Sequence, residues 1–493
     1  MRKLHIILLS LLLIGLSCAP RAKSDDSRHI YIIATNDMHA NIYAMPQLAT
    51  LVQRYEAEGE VLLFDSGDRV SGNAFVDDVA DAGVPMIELM NMLGYDAVTL
   101  GNHEFDKGRA TFDAMVDASE FVTLCANVHS ATEQPLAIEP YAIFEVEGIK
   151  IGVVGVVGAD QNGHPLGRDD AYASYSFSSD VATAVELCAE VAPQCDFVVL
   201  LSHMGDDVDE EFIARAPECD WVAGGHTHAE RNESINGIQL TQNPKNIAKV
   251  TIADIEVRDD KIVDVTYSQE VVGEYVARMD IVDKVADIKS LSPELNIVEG
   301  RAAELFTQSG VANFTVDALA TYPYADGFVP EVTFYHYGGV RLSSILPGDI
   351  TRGDIFNNDP FNSTIYVGEM TIDQMRRFIL DKYNSHGPDG RYDKESHYPY
   401  FRSDVAYEII LGPEPETMPD AVDVRFSLDE ERAYRVAMCN YIVENYIDSV
   451  IAAEQMRPAG VTVRDAMLRY VRSSEGAIVP DNRIYQTERK ATL

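Results

Sequence analysis

The chain has 493 residues, 46% of them hydrophobic and 24% charged, a length that predicts two or three globular domains rather than one core. Its 79 acidic residues against 39 basic ones leave a formal net charge of −40, which repels phosphate backbones and excludes charge-driven nucleic-acid binding. A phosphate-bearing small molecule is admissible only where local cations reverse that field.

At the N-terminus, Arg2 and Lys3 precede an apolar stretch from Ile6 to Leu16, followed by Ser17 and Cys18. The stretch is too short to hold a bilayer span, so residues 1–27 are expected to form an export signal and tether. Cysteine after small and apolar residues resembles a bacterial lipoprotein cleavage site, with Gly15 where leucine is usual. Lipidation of Cys18 would put the chain in the periplasm or on the cell surface, with membrane contact through that lipid. Plain secretion is the alternative. Five further cysteines remain, of which Cys188 and Cys195 are spaced to close a small disulfide loop. No CxxC pairing exists, which argues against a zinc knuckle or a redox motif.

Residues 28–270 read as a first domain in which short β-branched runs alternate with helical stretches. The runs are HIYIIATND, EVLLFDSGD, YDAVTLGNHE, FVTLCANV, KIGVVGVVG, CDFVVLLSHMG, CDWVAGGHTH and KVTIADIEV. A helix ends near Tyr55 and another spans Val84–Leu93. This alternation predicts layered α/β architecture. Residues 271–306 read as a linker helix. Residues 307–493 form a second domain with a strand in EVTFYHYGGV, a helix over Thr371–Tyr383, a polar loop over Asn384–Phe401, a strand in VAYEIILG and a late helix.

Five short motifs each follow an apolar run: Asp37-Met-His39, Gly67-Asp68, Gly101-Asn102-His103-Glu104, Ser202-His203 and Gly225-His226-Thr-His228. They therefore collect at strand ends, where an α/β sheet carries its site. Residues at i and i+2 of an extended chain face one side, so Asp37 and His39 can reach one cation together, and so can His226 and His228. Asp68 can bridge two metals, Asn102 offers a neutral oxygen and His203 another imidazole. Mixed nitrogen and oxygen ligation suits Zn, Mn, Fe or Co better than Ca or Mg. Two such divalent ions roughly 3.5–4 Å apart hold a hydroxide that is nucleophilic at neutral pH. His103, beside Asn102, is three residues before Asp106, which can orient it as a catalytic acid. Singly, each dipeptide is an ordinary turn. Five of the chain's twelve histidines fall in this ordered set, which coincidence does not explain.

The motifs resemble those of calcineurin-like metallophosphoesterases, specifically the 5′-nucleotidase family. TNDMHANI, DSGD, TLGNHEFD, LSHMG and GGHTH match the family's blocks in order across residues 30–230. The resemblance implies a four-layer αββα domain followed by a smaller α+β 5′-nucleotidase C-terminal-like domain. It implies that Asp37, His39, Asp68 and His228 hold one metal, that Asp68, Asn102, His203 and His226 hold the other, and that His103 with Asp106 is the catalytic dyad. The second half departs from the pattern. Where the family has an Asn-Gly-Gly-Gly-Ile/Val-Arg segment, this chain reads His336-Tyr337-Gly338-Gly339-Val340-Arg341. Arg341 and His336 are the candidate substrate-binding residues. GDIFNNDPF resembles the next block and ends in Phe361. Ile365 falls where the first base-stacking aromatic is expected, and the second is missing from AMCNYIVENYIDS. Tyr337, Tyr366, Phe401 and Tyr441 are candidate replacements.

The expected function is hydrolysis of nucleotide phosphate esters by a hydroxide bridging two metals. One alternative applies the same machinery to UDP-sugars or 2′,3′-cyclic nucleotides. Another is a non-catalytic ligand-binding lipoprotein.

Overall fold

The computed structural model describes residues 27–159, 163–167, 169–216, 218–384, 401–412, 420–448, 451, 454–481, 483 and 486–490. The expected export signal with Cys18, and most of the expected loop after Asn384, lie outside the described residues.

Two six-stranded sheets organise residues 28–271. The first has the order Lys261–Val271, Lys249–Arg258, Arg28–Thr35, Glu60–Asp65, Ala97–Thr99, Val122–Leu124. Its last four strands are parallel. The second has the order Arg231–Ile235, Ile238–Gln242, Trp221–Ala223, Phe197–His203, Ile149–Val157, Tyr141–Val146, and its middle four are parallel.

Strand alternation decides the layering. Ile30, Ile32 and Ala34 of the first sheet share a core with Ile151, Val153, Leu201 and Trp221 of the second. The intervening Tyr31, Ile33 and Leu63 face the other way and pack with helices Met45–Glu56, Val84–Leu93 and Met279–Ser290. Val154, Val156, Val198 and Leu200 likewise pack with helices Asp180–Val191 and Asp206–Ile213. The domain is therefore αββα, as expected. Each of these aliphatic side chains is fully or nearly fully buried, worth ~1.5–3 kcal/mol apiece.

The helix expected over 271–306 is shorter than that span. It runs only over Met279–Ser290; Pro293 follows, and Val298–Ala302 is a strand paired with Gly348–Thr351. Proline cannot prolong the helical hydrogen bonding, which is why the pattern breaks there. Ile281, Val285 and Ile288 bury one face of this helix in the first domain's outer layer.

The second half is α+β. A five-stranded sheet runs Phe401–Ser403, Val332–His336, Ala433–Cys439, Thr364–Thr371, Met456–Thr462. Helices Gln308–Thr321, Ile372–Tyr383 and Val463–Ser473 share one core with it. Thr371 and Thr462 start two of these helices by closing capping boxes with Gln374 and Asp465. A smaller sheet joins Ala421–Phe426, Tyr407–Leu411 and Gln486–Lys490.

The expected Cys188–Cys195 bridge is not formed; both are free thiols. Cys188 faces the core under the second sheet, whereas Cys195 lies beyond the turn Ala192–Gln194, against Gly152. Among the described residues, no helix is long and apolar enough to cross a membrane.

Candidate active site

All five motifs leave the sheets at the same edge. Asp37 and His39 follow the strand Arg28–Thr35, and Asp68 follows Glu60–Asp65. Asn102 and His103 follow Ala97–Thr99, His203 ends Phe197–His203, and His226 and His228 follow Trp221–Ala223. The first two loops are zipped together past the strand ends. Asp37 N–H donates to Gly67 O at 3.0 Å, and His39 N–H to Asp68 O at 2.9 Å. Glu104 binds the next pair: its carboxylate accepts N–H groups from Asp68 (3.0 Å), Arg69 (2.9 Å) and Gly101 (2.6 Å). Glycine is required at 101 and 225 by close approach. A Cβ at 101 would lie 2.2 Å from Asp68 Oδ1, and one at 225 would lie 2.8 Å from His203 Nδ1.

Three groups of donor atoms result, each with its atoms within 4.8 Å of one another: Asp37–His39–His228, His39–Asp68–His103 and Asp68–His203–His226. Asn102 Oδ1 joins the third at 3.0 Å from His226 Nδ1. Asp68 belongs to two of the groups and stands between His203 and His103, with Oδ2 3.2 and 3.9 Å from their Nε2 atoms. Asp37, His39, Asp68, Asn102 and His203 are buried. Asp37, His39, Asp68, His226 and His228 all adopt positive φ, which non-glycine residues rarely do.

The electrostatics are divided. Burial pushes the Asp37 and Asp68 carboxyls up, but neighbouring His228 and His203 outweigh it and both end below the usual range. Burial pushes His203 and His103 down, yet Asp68 outweighs it, raising them to about 10 and about 9. His39 goes the other way; burial and the Arg341 charge carry it well below 6.5. Burial takes His228 to about 4 despite Asp37. Two ionised carboxylates held among imidazoles this deep call for compensating cations.

The residues fit divalent metal. His39 Nδ1 is buried without a hydrogen-bond partner, and His203 Nε2 faces only the Asp68 and Asp37 carboxylates, at 3.2 and 3.9 Å. The Nε2 atoms of His39 and His228 face each other at 3.0 Å. Imidazole, carboxylate and amide oxygen together make a donor set suited to a divalent ion.

His103 stands at the border of this cluster. Its Nδ1 is 2.7 Å from Asp106 Oδ2, which also accepts from Ser71 Oγ at 2.6 Å. Its Nε2 is 2.9 Å from Arg341 Nη2, brought in from the second half of the chain. His336 is placed differently, stacked on Tyr441 with ring centroids 4.1 Å apart.

Sequence reasoning misplaced the cleft aromatic. Ile365 is fully buried in the strand Thr364–Thr371. Phe401 is packed between Phe378 and Tyr446, and Tyr366 packs against the same core. The Tyr337 side chain lies outside the described part of the structure. Among the described residues, the exposed ring beside Arg341 and His103 is Phe361, 47% exposed, with the Arg341 guanidinium 5.2 Å from its centroid and His103 6.1 Å away. Its position at the end of GDIFNNDPF was the available signal.

The calcineurin-like phosphoesterase family model matches residues 30–230, which contain every one of the five motifs. The model of the 5′-nucleotidase C-terminal domain matches residues 289–448. Residues 30–230 thus form a calcineurin-like phosphoesterase domain, and residues 289–448 a 5′-nucleotidase C-terminal domain. The calcineurin-like family uses divalent metal. Among curated relatives, the trifunctional nucleotide phosphoesterase protein YfkN of Bacillus subtilis is 26% identical over 419 residues, covering 73% of this chain and 28% of that protein. The 5′-nucleotidase of Vibrio cholerae is 29% identical over 243 residues, covering 44% and 43%. The matched stretch thus spans less than half the length of either relative. The 5′-nucleotidase precursor of Thermus thermophilus shares the fold of this chain, with a TM-score of 0.74 at 17% identity over 93% of this chain and 99% of that one.

Proposed function

We propose that the chain is an exported two-metal phosphoesterase that hydrolyses nucleotide phosphate esters. In this reading Asp37, His39, Asp68 and His228 hold one divalent ion, and Asp68, Asn102, His203 and His226 hold the other. When bound, such a pair polarises phosphoryl oxygens and makes water nucleophilic near neutral pH. Asp106 fixes the His103 ring through Nδ1, leaving Nε2 to hold a proton for the departing oxygen. Arg341 presents its fork to the same place and counters charge on the phosphoryl group. Phe361 offers a flat, accessible face beside Arg341 for a nucleobase.

The observation that carries this reading is the meeting of Arg341 with His103 beside Asp68. A ligand-binding protein needs the carboxylates, but it does not need an imidazole oriented by its own acid.

The test is hydrolysis of AMP, UDP-glucose, 2′,3′-cyclic AMP and p-nitrophenyl phosphate by protein reconstituted with Mn²⁺ or Zn²⁺. AMP is expected to turn over fastest. Activity on p-nitrophenyl phosphate alone would refute the nucleotide assignment. No hydrolysis with two ions bound would leave a binding protein. Export and anchoring rest on the segment from Arg2 to Cys18. Mass spectrometry of the mature N-terminus should find a lipidated Cys18; an unmodified terminus would refute the anchor.

A further inference from the structure

Gln242 ends the strand Ile238–Gln242 and is completely buried behind the His226-Thr227-His228 loop. Its carboxamide faces three consecutive backbone N–H groups, those of Thr227, His228 and Ala229. An NH₂ group there would face three N–H donors and find only the Thr227 hydroxyl as acceptor, so the oxygen points at them. In that orientation Gln242 Oε1 accepts from Thr227 N at 3.2 Å, His228 N at 2.8 Å and Ala229 N at 3.1 Å. The amide nitrogen, turned the other way, donates to Thr227 Oγ1 at 3.1 Å. That hydroxyl in turn donates to Asp206 Oδ1 at 2.6 Å, and Asp206 is paired with Arg231. The preceding N–H, of His226, goes to the Asp37 carboxylate at 3.0 Å.

Four successive N–H groups therefore converge on the Gln242 oxygen and the Asp37 carboxylate, that of Thr227 being shared with Gly225 O at 3.1 Å. His226 and His228 adopt φ of 82° and 57°, with Thr227 between them. Such a backbone forms a concavity of N–H groups that demands an acceptor at its centre. A neutral amide oxygen fills it. Without that acceptor the buried N–H groups of His228 and Ala229 would be left unpaired, which favours relaxation of the loop out of its strained form.

We infer that Gln242 is the positioning residue for both metal sites at once. This rests on the reading that His226 and His228 are ligands. The two rings belong to different donor groups, His228 with Asp37 and His39, His226 with Asp68 and His203. One side chain behind the loop thus sets the aim of one ligand in each. Loss of a residue that holds a metal ligand costs typically about 10–100-fold in affinity. Here the loss falls on two ions together.

Calorimetric titration of chelator-treated protein with Mn²⁺ tests this without any substrate. Wild type should take two ions. Gln242→Met removes the acceptor and should weaken both binding steps by about tenfold or more. Gln242→Glu keeps an oxygen for the three N–H groups and should restore most of that loss. His226→Ala should abolish one step and spare the other. Thr227→Val, which keeps every backbone donor and removes only the hydroxyl, carries the test if Gln242→Met does not fold, and should also weaken both steps. Two unchanged affinities in Gln242→Met, or the weakening of one ion only, would overturn the inference while leaving the metal centre standing. Failure of Gln242→Glu to rescue would likewise overturn it. Fewer than two ions on the wild-type chain would overturn the metal reading, and this inference with it.

Discussion

His103 Nε2 lies 2.9 Å from Arg341 Nη2, although 238 residues separate them in the chain. A guanidinium can only donate, so the contact needs a neutral ring with its lone pair at Nε2. Asp68 and Asp106 nevertheless favour the protonated ring. Both groups are thus poised as donors at one point, and a phosphoryl oxygen between them would satisfy both.

Arg341→Ala should therefore act on substrate capture. A hydrogen bond to a charged group is worth ~1.5–3 kcal/mol, so KM for the nucleotide should rise by about 10–100-fold with a smaller change in kcat. Steady-state kinetics on AMP measures this. An unchanged KM would remove the second domain from the site.

His103→Ala should lower kcat by about 10²–10⁴-fold while both metal ions remain bound. Elemental analysis alongside turnover separates the two effects. A loss of both ions would mean that His103 is principally a ligand, since it shares a donor group with His39 and Asp68.

Asp68→Asn should lose both ions, because Asp68 belongs to two of the donor groups. His228→Ala should lose one. Metal content after dialysis against micromolar Mn²⁺ gives the count directly, and equal retention in the two variants would contradict a shared carboxylate.

Without metal, stability should fall as pH rises from 6.5 to 9. In the fold Asp68 and its neighbouring acids raise His103 to about 9 and His203 to about 10, against an ordinary 6.5, despite burial. Burial raises Asp65 to about 7 and Asp209 to about 8, against 3.8. All four then carry protons that the unfolded chain has released, so the folded state loses ground with each step upward in pH. The histidine contribution is complete below 6.5 and disappears through 9 to 10; the carboxyl contribution disappears through 7 to 8. Thermal melts in chelator should show the drop, and excess Mn²⁺ should flatten it by displacing the ring protons. A chelator-treated protein that became more stable toward pH 9 would contradict this balance.

Phe361→Ala should leave the melting temperature unchanged, because the ring is 47% exposed. Stacking of a base on an aromatic ring is worth ~1–3 kcal/mol, so KM for AMP should rise by about 5–100-fold. KM for p-nitrophenyl phosphate should move far less. An equal change for both substrates would show that Phe361 does not read the base.

The strand-end motifs were legible because each couples two local rules, an apolar run and a polar terminus. His39 and Asp68 could be anticipated as neighbours from that alone. Gln242 was not legible, since a glutamine at the end of a strand carries no pattern; its role depends on N–H groups thirteen to fifteen residues earlier. The 271–306 segment misled because Val, Ile and Leu among charges suit a helix, and only Pro293 marks the change to a strand. That Phe361 is exposed while Ile365 is buried is not written locally, because side-chain exposure is decided by packing from distant residues. Asp359, which accepts from Ser363 Oγ at 2.7 Å, helps hold the Phe361 loop.

The left-handed backbone at positions 37, 39, 68, 226 and 228 has a consequence for engineering. Each such conformer is disfavoured by about 1–3 kcal/mol in isolation and survives only where its surroundings dictate it. Transplanting the five segments into a peptide or an unrelated host would let them unwind into ordinary turns, scattering the imidazoles. The portable unit is the double sheet itself, and a redesign that is to keep the imidazoles together must leave the sandwich rim untouched.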